Sequence, residues 1–407
     1  MTTSVYIAKS IYGGDGIGRL SDGRVVFVPG AFAGEHVKAE IVEEKRRFVR
    51  ARLVEVEDAS PDRTGYSDPP VPGMVYSNLS CAGECAAKSA QLAEALERAR
   101  IALPPGGVRR SPVAGGGEEE SLGYRNKATY RFAKSADGWK LGYVREPGHE
   151  IVDVERDPLA VAAINDRLGE IRRSVFALLT RGAGGVRRAV EGKAAVTVRW
   201  TRRSGVQWWL GDAPQGLVMK EEAMGRVFDV PADGFWQVNP AVGDALVKSV
   251  AAAFAREPAE RLVDLYCGVG VLGISCVCAA GRNGAVRLSG VESGRRAAEF
   301  ARRNAAFHGV EASFAAEETA KALSRLGDVR GATVITDPPR GGMEPKTVRW
   351  LAQSGAERIF CVSCDPATLV RDLKGLDAAY AVESVDWFNM FPRTARFETL
   401  AVLRRRG

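Results

Sequence analysis

No run of apolar residues in this 407-residue chain is long enough to cross a membrane. The opening MTTSVYIAKSIYGG has no apolar stretch of the kind that forms the core of a secretory signal. Cysteines number seven, an odd count without the spacing of a secreted disulfide framework, which argues against a stapled extracellular scaffold. These absences point to a reducing compartment, and the cytoplasm is the expected location. No internal repeat is present, so a solenoid is excluded. A strong excess of one charge is missing too: 57 Lys and Arg against 50 Asp and Glu leave +7, compatible with a polyanionic partner but not diagnostic of one.

What is present is an ordinary globular composition, 45% hydrophobic and 26% charged, in a chain long enough for two or three cores. Basic residues cluster in EEKRRFVRAR, GVRRS, RWTRRSG and the terminal RRR, a distribution that supports RNA as the partner.

Three regions follow from the patterning. Residues 1–57 alternate short apolar runs with GGDG, SDGR and PGAFAGE, as in a small β-barrel. Residues 58–230 begin with a linker (ASPDRTGYSDPPVPG), a helical stretch (AKSAQLAEALERARIAL) and a second linker (PPGGVRRSPVAGGGEEES). From Tyr124 to Val230, strand-like segments surround one helical run, giving an α+β central domain. Residues 231–407 alternate strand and helix and read as a doubly wound α/β sheet.

The last region carries the chemistry. RLVDLYCGVGVLG is an apolar strand running into Gly268 and Gly270 and then an apolar helix, which lets a backbone approach a nucleotide-like ligand. The next strand, VRLSGVES, ends on Glu292, suited to accept hydrogen bonds from ribose hydroxyls. ATVITDPPRGG ends in Asp337, whose prolines stiffen the loop and hold the carboxylate over the cleft. ERIFCVSC places Cys364 at a strand end before the helix PATLVRDLKGL, where a helix N-terminus is expected to lower the thiol pKa. Cys361, on the apolar strand itself, is expected to be buried. All these groups end strands at one sheet edge.

At these residues a resemblance becomes specific. DGFWQVNP, DLYCGVG, DPPRGG, VSCDPATLVRD and FPRTARFE, in this order, resemble the S-adenosylmethionine-dependent RNA uracil-5-methyltransferases. The segment starting at YGGDGIGRL resembles the RNA-binding TRAM barrel of that family, and YRNKATYRF its central substrate-binding domain. The resemblance implies S-adenosyl-L-methionine as cofactor, Cys364 as nucleophile and Glu398 as general base. It implies Gln237, Tyr266, Glu292, Glu318 (with Glu317 as the other register) and Asp337 as cofactor contacts. Phe235, with Trp236, is a candidate to stack on an extruded uracil, and Arg125 and Lys127 are candidate RNA contacts.

The chemistry fits these residue types. Carbon 5 of uracil is a weak nucleophile, and a thiolate adding at carbon 6 pushes electron density onto it, after which a base must remove the carbon 5 proton. The chain also departs from the family. Arg396 stands where histidine is usual, and Asp365 where asparagine is common; a carboxylate beside Cys364 is expected to disfavour the thiolate. Many relatives hold an iron-sulfur cluster through four cysteines, of which only Cys81 and Cys85 remain, in SCAGEC, with Asp157 at the fourth position. No intact cluster and no metal are expected. The expected substrate is RNA, with 23S ribosomal RNA favoured by the TRAM-like segment and transfer RNA as the nearest alternative. An amino-methyltransferase or an inactive RNA-binding protein are the remaining readings.

Overall fold

The computed structural model describes residues 2–66, 70–111, 121–145, 150–181, 195–281 and 284–407. Parts of both expected linkers, 67–69 and 112–120, lie outside the described residues.

Strands β1 (Thr2–Ser10), β2 (Gly16–Arg19), β3 (Val25–Val28), β4 (His36–Glu44) and β5 (Phe48–Asp58) close into a barrel in the order β1-β2-β3-β5-β4. Alternation builds it: Val5 and Ile7 point inward with Val26, Val28, Val37 and Val49, while Tyr6 and Ala8 face out. The β1–β2 turn is seated against the following segment. Gly14 there has φ +98°, and a Cβ added to it would lie 2.5 Å from the Val75 side chain.

Helix α1 (Cys81–Arg98) begins six residues earlier than the periodicity indicates, because Ser80 caps it by accepting a hydrogen bond from the Gly83 N–H at 2.9 Å. The stretch after it, read as linker, contributes β6 (Val108–Arg110), paired in parallel with a strand 277 residues further on through Arg109 and Asp386. Three residues carry too little pattern to announce a strand whose partner is so remote.

In the central domain β7 (Lys127–Ser135), β8 (Gly138–Arg145), β9 (Glu150–Asp153), β10 (Ala195–Thr201) and β11 (Gly205–Leu210) form an antiparallel sheet ordered β11-β10-β7-β8-β9. Helix α2 (Ala162–Arg181) packs Ile164, Leu168, Ile171 and Val175 on it at helical spacing. A hairpin, β12 (Val218–Ala223) and β13 (Arg226–Pro231), leads into the last domain.

There the chain runs α3 (Pro240–Arg256), β14 (Arg261–Leu265), α4 (Val271–Ala279), β15 (Arg287–Glu292), α5 (Arg295–Phe307), β16 (Ala312–Ala316), α6 (Thr319–Ala322), β17 (Thr333–Thr336), α7 (Pro345–Ser354), β18 (Arg358–Ser363), α8 (Pro366–Leu376), β19 (Tyr380–Phe388) and β20 (Glu398–Arg405). The sheet order is β16-β15-β14-β17-β18-β20-β19-β6. The first five strands are parallel and β20 runs antiparallel beside β18. Large apolar cores cover both faces, the doubly wound architecture expected. The strand order reverses at β14 and β17, so the crevice for a ligand opens beyond their carboxyl ends. Among the described residues no helix is long and apolar enough to cross a membrane.

Candidate active site

The β14–α4 loop is built for close approach. Tyr266 has φ 62°, a left-handed conformation unusual for its type, and Gly268 (φ 53°) and Gly270 (φ 83°) follow. A Cβ on Gly268 would meet nothing within 4 Å, whereas one on Gly270 would lie 2.9 Å from Ile274. Gly268 therefore faces open space and Gly270 faces packing. Glu292, at the end of β15, accepts from the Gly268 N–H at 3.0 Å and the Gly294 N–H at 2.6 Å, so its carboxylate ties the two loops together beside that space.

Beyond the loop lies a cleft whose lining includes Phe235, Trp236, Gln237, Tyr266, Gly268 and Asp337. Phe235 is 68% exposed, free to meet a planar ligand. Trp236, which also lines the cleft, is buried, its ring centroid 5.8 Å from that of Phe228. Gln237 abuts α3, close enough that a Cβ on Gly243 would lie 2.7 Å from its side chain.

Asp337 lines the cleft, and its charge acts on Asp264, buried on β14. Asp264, fully buried, accepts from the Gly273 N–H at 2.9 Å through Oδ2, while Oδ1 has no partner among the described residues. Burial pushes its carboxyl up to about 7, with the charges of Asp337 and Glu292 adding to the shift. Asp337 is likewise pushed up to about 7 by burial. The Asp337 carboxylate in the lining, the exposed Phe235 ring and the open cradle at Gly268 suit a ligand that joins a cationic sulfur to an adenosine, which is what S-adenosylmethionine is.

Cys364 follows β18 directly, half-buried, and α8 starts two residues later. The expected lowering of its thiol pKa is not seen. Burial pushes the thiol up to about 11, Glu398 and Asp337 add to this, and Arg340 opposes it. Two carboxylates and lost hydration outweigh the helix N-terminus. Asp365 is not the cause. It caps α8, its Oδ1 accepting from the N–H groups of Ala367 at 2.9 Å and Thr368 at 3.3 Å. Cys361 is buried on β18, as its strand position implied.

Glu398 opens β20, next to β18, where Thr399 pairs with Ser363. It is buried, its Oε2 has no partner among the described residues, and burial raises its pKa well above the ordinary value, with Asp337 adding and Arg340 opposing. Such a carboxyl, at the end of a strand beside a thiol, is a strong base once it has lost its own proton, and then can accept one from a substrate that completes the site.

The remaining candidates lie outside this cleft lining. Glu318 is exposed and ion-paired with Lys321 at 2.8 Å, and its neighbour Glu317 pairs with Arg325. Arg125 reaches the Tyr143 hydroxyl at 3.4 Å inside the central domain. Lys127 is half-buried there, pushed down to about 8 by burial and by the charge of Arg199.

Two residues matter that the sequence did not single out. Arg340, in the DPPR loop, is the cation acting on both Cys364 and Glu398. Arg199 hides in the basic run RWTRRSG yet is buried. It pairs with Glu221 at 2.7 Å and donates to the carbonyls of Ala232 at 3.1 Å and Gly234 at 2.9 Å, holding the loop that presents Phe235 and Gln237. Other basic runs are also largely neutralised: Arg404 pairs with Glu257, Glu357 and Glu383, and Arg52 with Glu40. Clustering in sequence overstated the basic surface.

The cysteine segment does not fit an iron-sulfur cluster. Cys81 and Cys85 are buried thiols one turn apart on α1, not joined in a disulfide, and burial raises Cys85. Asp157 accepts from the hydroxyls of Tyr130 at 3.0 Å and Tyr143 at 2.7 Å, within the central domain. Among the described residues no group of three His, Cys, Asp or Glu side chains converges as a metal site.

Comparison with known proteins places this geometry. A family model described as tRNA (Uracil-5-)-methyltransferase matches residues 217–406, and a TRAM domain model matches residues 5–54. The chain is 33% identical to an uncharacterized RNA methyltransferase of Streptomyces avermitilis, over 98% of this chain and 97% of that protein. It is 32% identical to another from Streptomyces coelicolor, over 98% and 92% respectively. The fold is similar to that of the Pyrococcus abyssi tRNA (uracil-54, C5)-methyltransferase in complex with S-adenosyl-L-homocysteine, with TM-score 0.72 and 21% identity over 98% of this chain and 99% of that one. With these relatives spanning nearly its whole length, the chain belongs to the S-adenosylmethionine-dependent RNA (uracil-5-)-methyltransferases.

Proposed function

We propose that this enzyme methylates carbon 5 of one uridine in 23S ribosomal RNA by covalent catalysis, with Cys364 as nucleophile and Glu398 as general base. The observation that carries the reading is the pairing of β18 with β20, which sets a half-buried thiol and a buried, unpartnered carboxyl at one strand edge beside the cofactor cleft. The Cys364 sulfur adds to carbon 6, and the electron pair of the C5–C6 double bond moves onto the carbon 4 carbonyl oxygen. The thiol proton passes to solvent, which the half-buried Cys364 still reaches. S-adenosylmethionine supplies the methyl group that carbon 5 then accepts. Glu398 removes the carbon 5 proton, and the returning electrons expel the Cys364 thiolate. Arg340 stabilises both anions while they last.

We assign Phe235, exposed in the cleft lining, to stack on the extruded base, and Arg125 and Lys127 to contact the RNA. The TRAM barrel supports ribosomal RNA. Transfer RNA is the second reading, favoured by the description of the matching family model and by the substrate named for the Pyrococcus abyssi protein. The cytoplasm, where either RNA is modified, is the proposed location.

Covalent trapping tests the proposal. Incubation with S-adenosylmethionine and ribosomal or transfer RNA containing 5-fluorouridine should give a denaturation-resistant adduct with the wild type and none with Cys364→Ala. Fluorine at carbon 5 blocks the last proton removal, so mapping the adduct identifies the RNA and the nucleotide. No adduct on either RNA, with cofactor binding intact, would overturn the covalent mechanism.

A further inference from the structure

The tip of the β1–β2 turn lies next to the proposed nucleophile. The turn is closed by the Ile11 N–H to the Asp15 carbonyl at 2.9 Å and the Gly14 N–H to the Ile11 carbonyl at 3.0 Å, and Val75 blocks it behind Gly14. This fixes Tyr12, which leaves the barrel and packs with the core of the methyltransferase domain. Its ring meets Phe397 edge-on, centroids 6.0 Å apart at 89°, and Phe397 is in turn edge-on to Trp387 at 5.7 Å. Phe397 immediately precedes Glu398. The Tyr12 hydroxyl lies 3.4 Å from Oδ2 of Asp365, the oxygen left over when Oδ1 caps α8, and Asp365 immediately follows Cys364. One barrel side chain therefore touches the neighbours in sequence of both proposed catalytic residues.

The hydroxyl keeps its proton at any working pH and donates it in a hydrogen bond to Asp365, so its oxygen is left to accept from a ligand. Burial, then the charge of Asp365, push it up to about 12, and Arg396 and Cys364 are close enough to act on it as well. Tyr12 is partly exposed, with its hydroxyl bonded to Asp365.

We infer that Tyr12 is a positioning residue for the target nucleotide: the RNA-binding barrel reaches into the methyltransferase domain and its Tyr12 hydroxyl, oriented by Asp365, holds the nucleotide over Cys364. The inference rests on the covalent reading above. It also gives the Asp365 carboxylate a second task beside the helix cap. A barrel that merely captured RNA at a distance would need no aromatic side chain at this point.

The test is the rate of adduct formation on 5-fluorouridine RNA for wild type, Tyr12→Phe and Tyr12→Ala, with RNA affinity and thermal midpoint measured alongside. Tyr12→Phe keeps the ring on Phe397 and removes only the hydroxyl. It should fold and bind RNA as the wild type does and form the adduct about tenfold more slowly, the loss of one hydrogen bond made in the pocket. Tyr12→Ala should lose the rate further and lower the midpoint. If Tyr12→Phe reacts at the wild-type rate while Tyr12→Ala is impaired, the side chain is only a packing contact and the inference is overturned. If the wild type itself forms no adduct, the covalent reading fails first, and the inference with it.

Discussion

The ammonium of Lys88 donates to the side-chain oxygen of Asn389 at 2.7 Å, joining helix α1 to the turn that precedes Glu398. Lys88 is fully buried, and burial lowers its pKa, with Glu84 at 2.6 Å working to keep it charged. Glu84 in turn accepts from Asn389 at 3.1 Å and from the Arg393 N–H at 2.9 Å. Residues 389–393 are thus braced by a satisfied polar knot.

Removing one partner leaves a buried charge unpaired. Lys88→Met should destabilise the protein by about 3–5 kcal/mol, and the double variant Glu84→Gln, Lys88→Met should recover a large part of that. Chemical denaturation measures both. A single variant within about 0.5 kcal/mol of wild type would show that the knot contributes nothing.

How much of this was legible in the sequence depended on the range of the interactions. Strands β14, β17 and β18 are largely apolar runs leading into Gly, Asp-Pro-Pro and Cys, so their alternation with helices and their shared edge could be read directly. The barrel announced itself by alternation and turn residues. Arg199 and Lys88 did not, because a buried cation looks like a surface one until its partner is known, and Asn389 lies 301 residues from Lys88. The raised thiol pKa was also hidden: the helix N-terminus is local and visible, whereas Glu398 and Asp337 arrive from other strands.

Glu398 should trade stability for chemistry. Folding keeps it protonated where the unfolded chain would ionise, so the native state holds the extra proton above the ordinary glutamate range and stability falls as pH rises there. Glu398→Gln should therefore raise the thermal midpoint at pH 8, with the gain vanishing near pH 4. It should also cut turnover by about 10²–10⁴-fold and let a covalent adduct build up on ordinary uridine RNA, since methylation precedes the blocked step. A variant that turns over normally would remove Glu398 from the mechanism.

Cofactor binding should release protons. Burial pushes Asp337, which lines the cleft, up to about 7, and only its ionised form attracts a sulfonium. Affinity for S-adenosylmethionine should therefore rise as pH increases from 6 to 8, while S-adenosylhomocysteine, whose sulfur is neutral, shows a shallower slope. Calorimetry in buffers of different ionisation enthalpy counts the protons, and Asp337→Asn should reduce the difference between the two ligands. Equal slopes for both in the wild type would refute the electrostatic account.

The free thiol should be slow. With Cys364 pushed up to about 11 by burial, Glu398 and Asp337, its thiolate is scarce at neutrality, and alkylation by iodoacetamide should keep accelerating from pH 7 to 9 without a plateau. Because Arg340 is the opposing charge, Arg340→Met should slow alkylation at every pH in that range. Asp365→Asn should leave the profile unchanged, since asparagine caps a helix about as well and the Asp365 carboxylate is engaged with α8 and Tyr12. Peptide mass spectrometry separates Cys364 from the other six thiols. A wild-type midpoint near 7 would mean that the helix N-terminus prevails over the two carboxylates, and a downward shift in Asp365→Asn would return Asp365 to the list of groups that hold the thiol neutral.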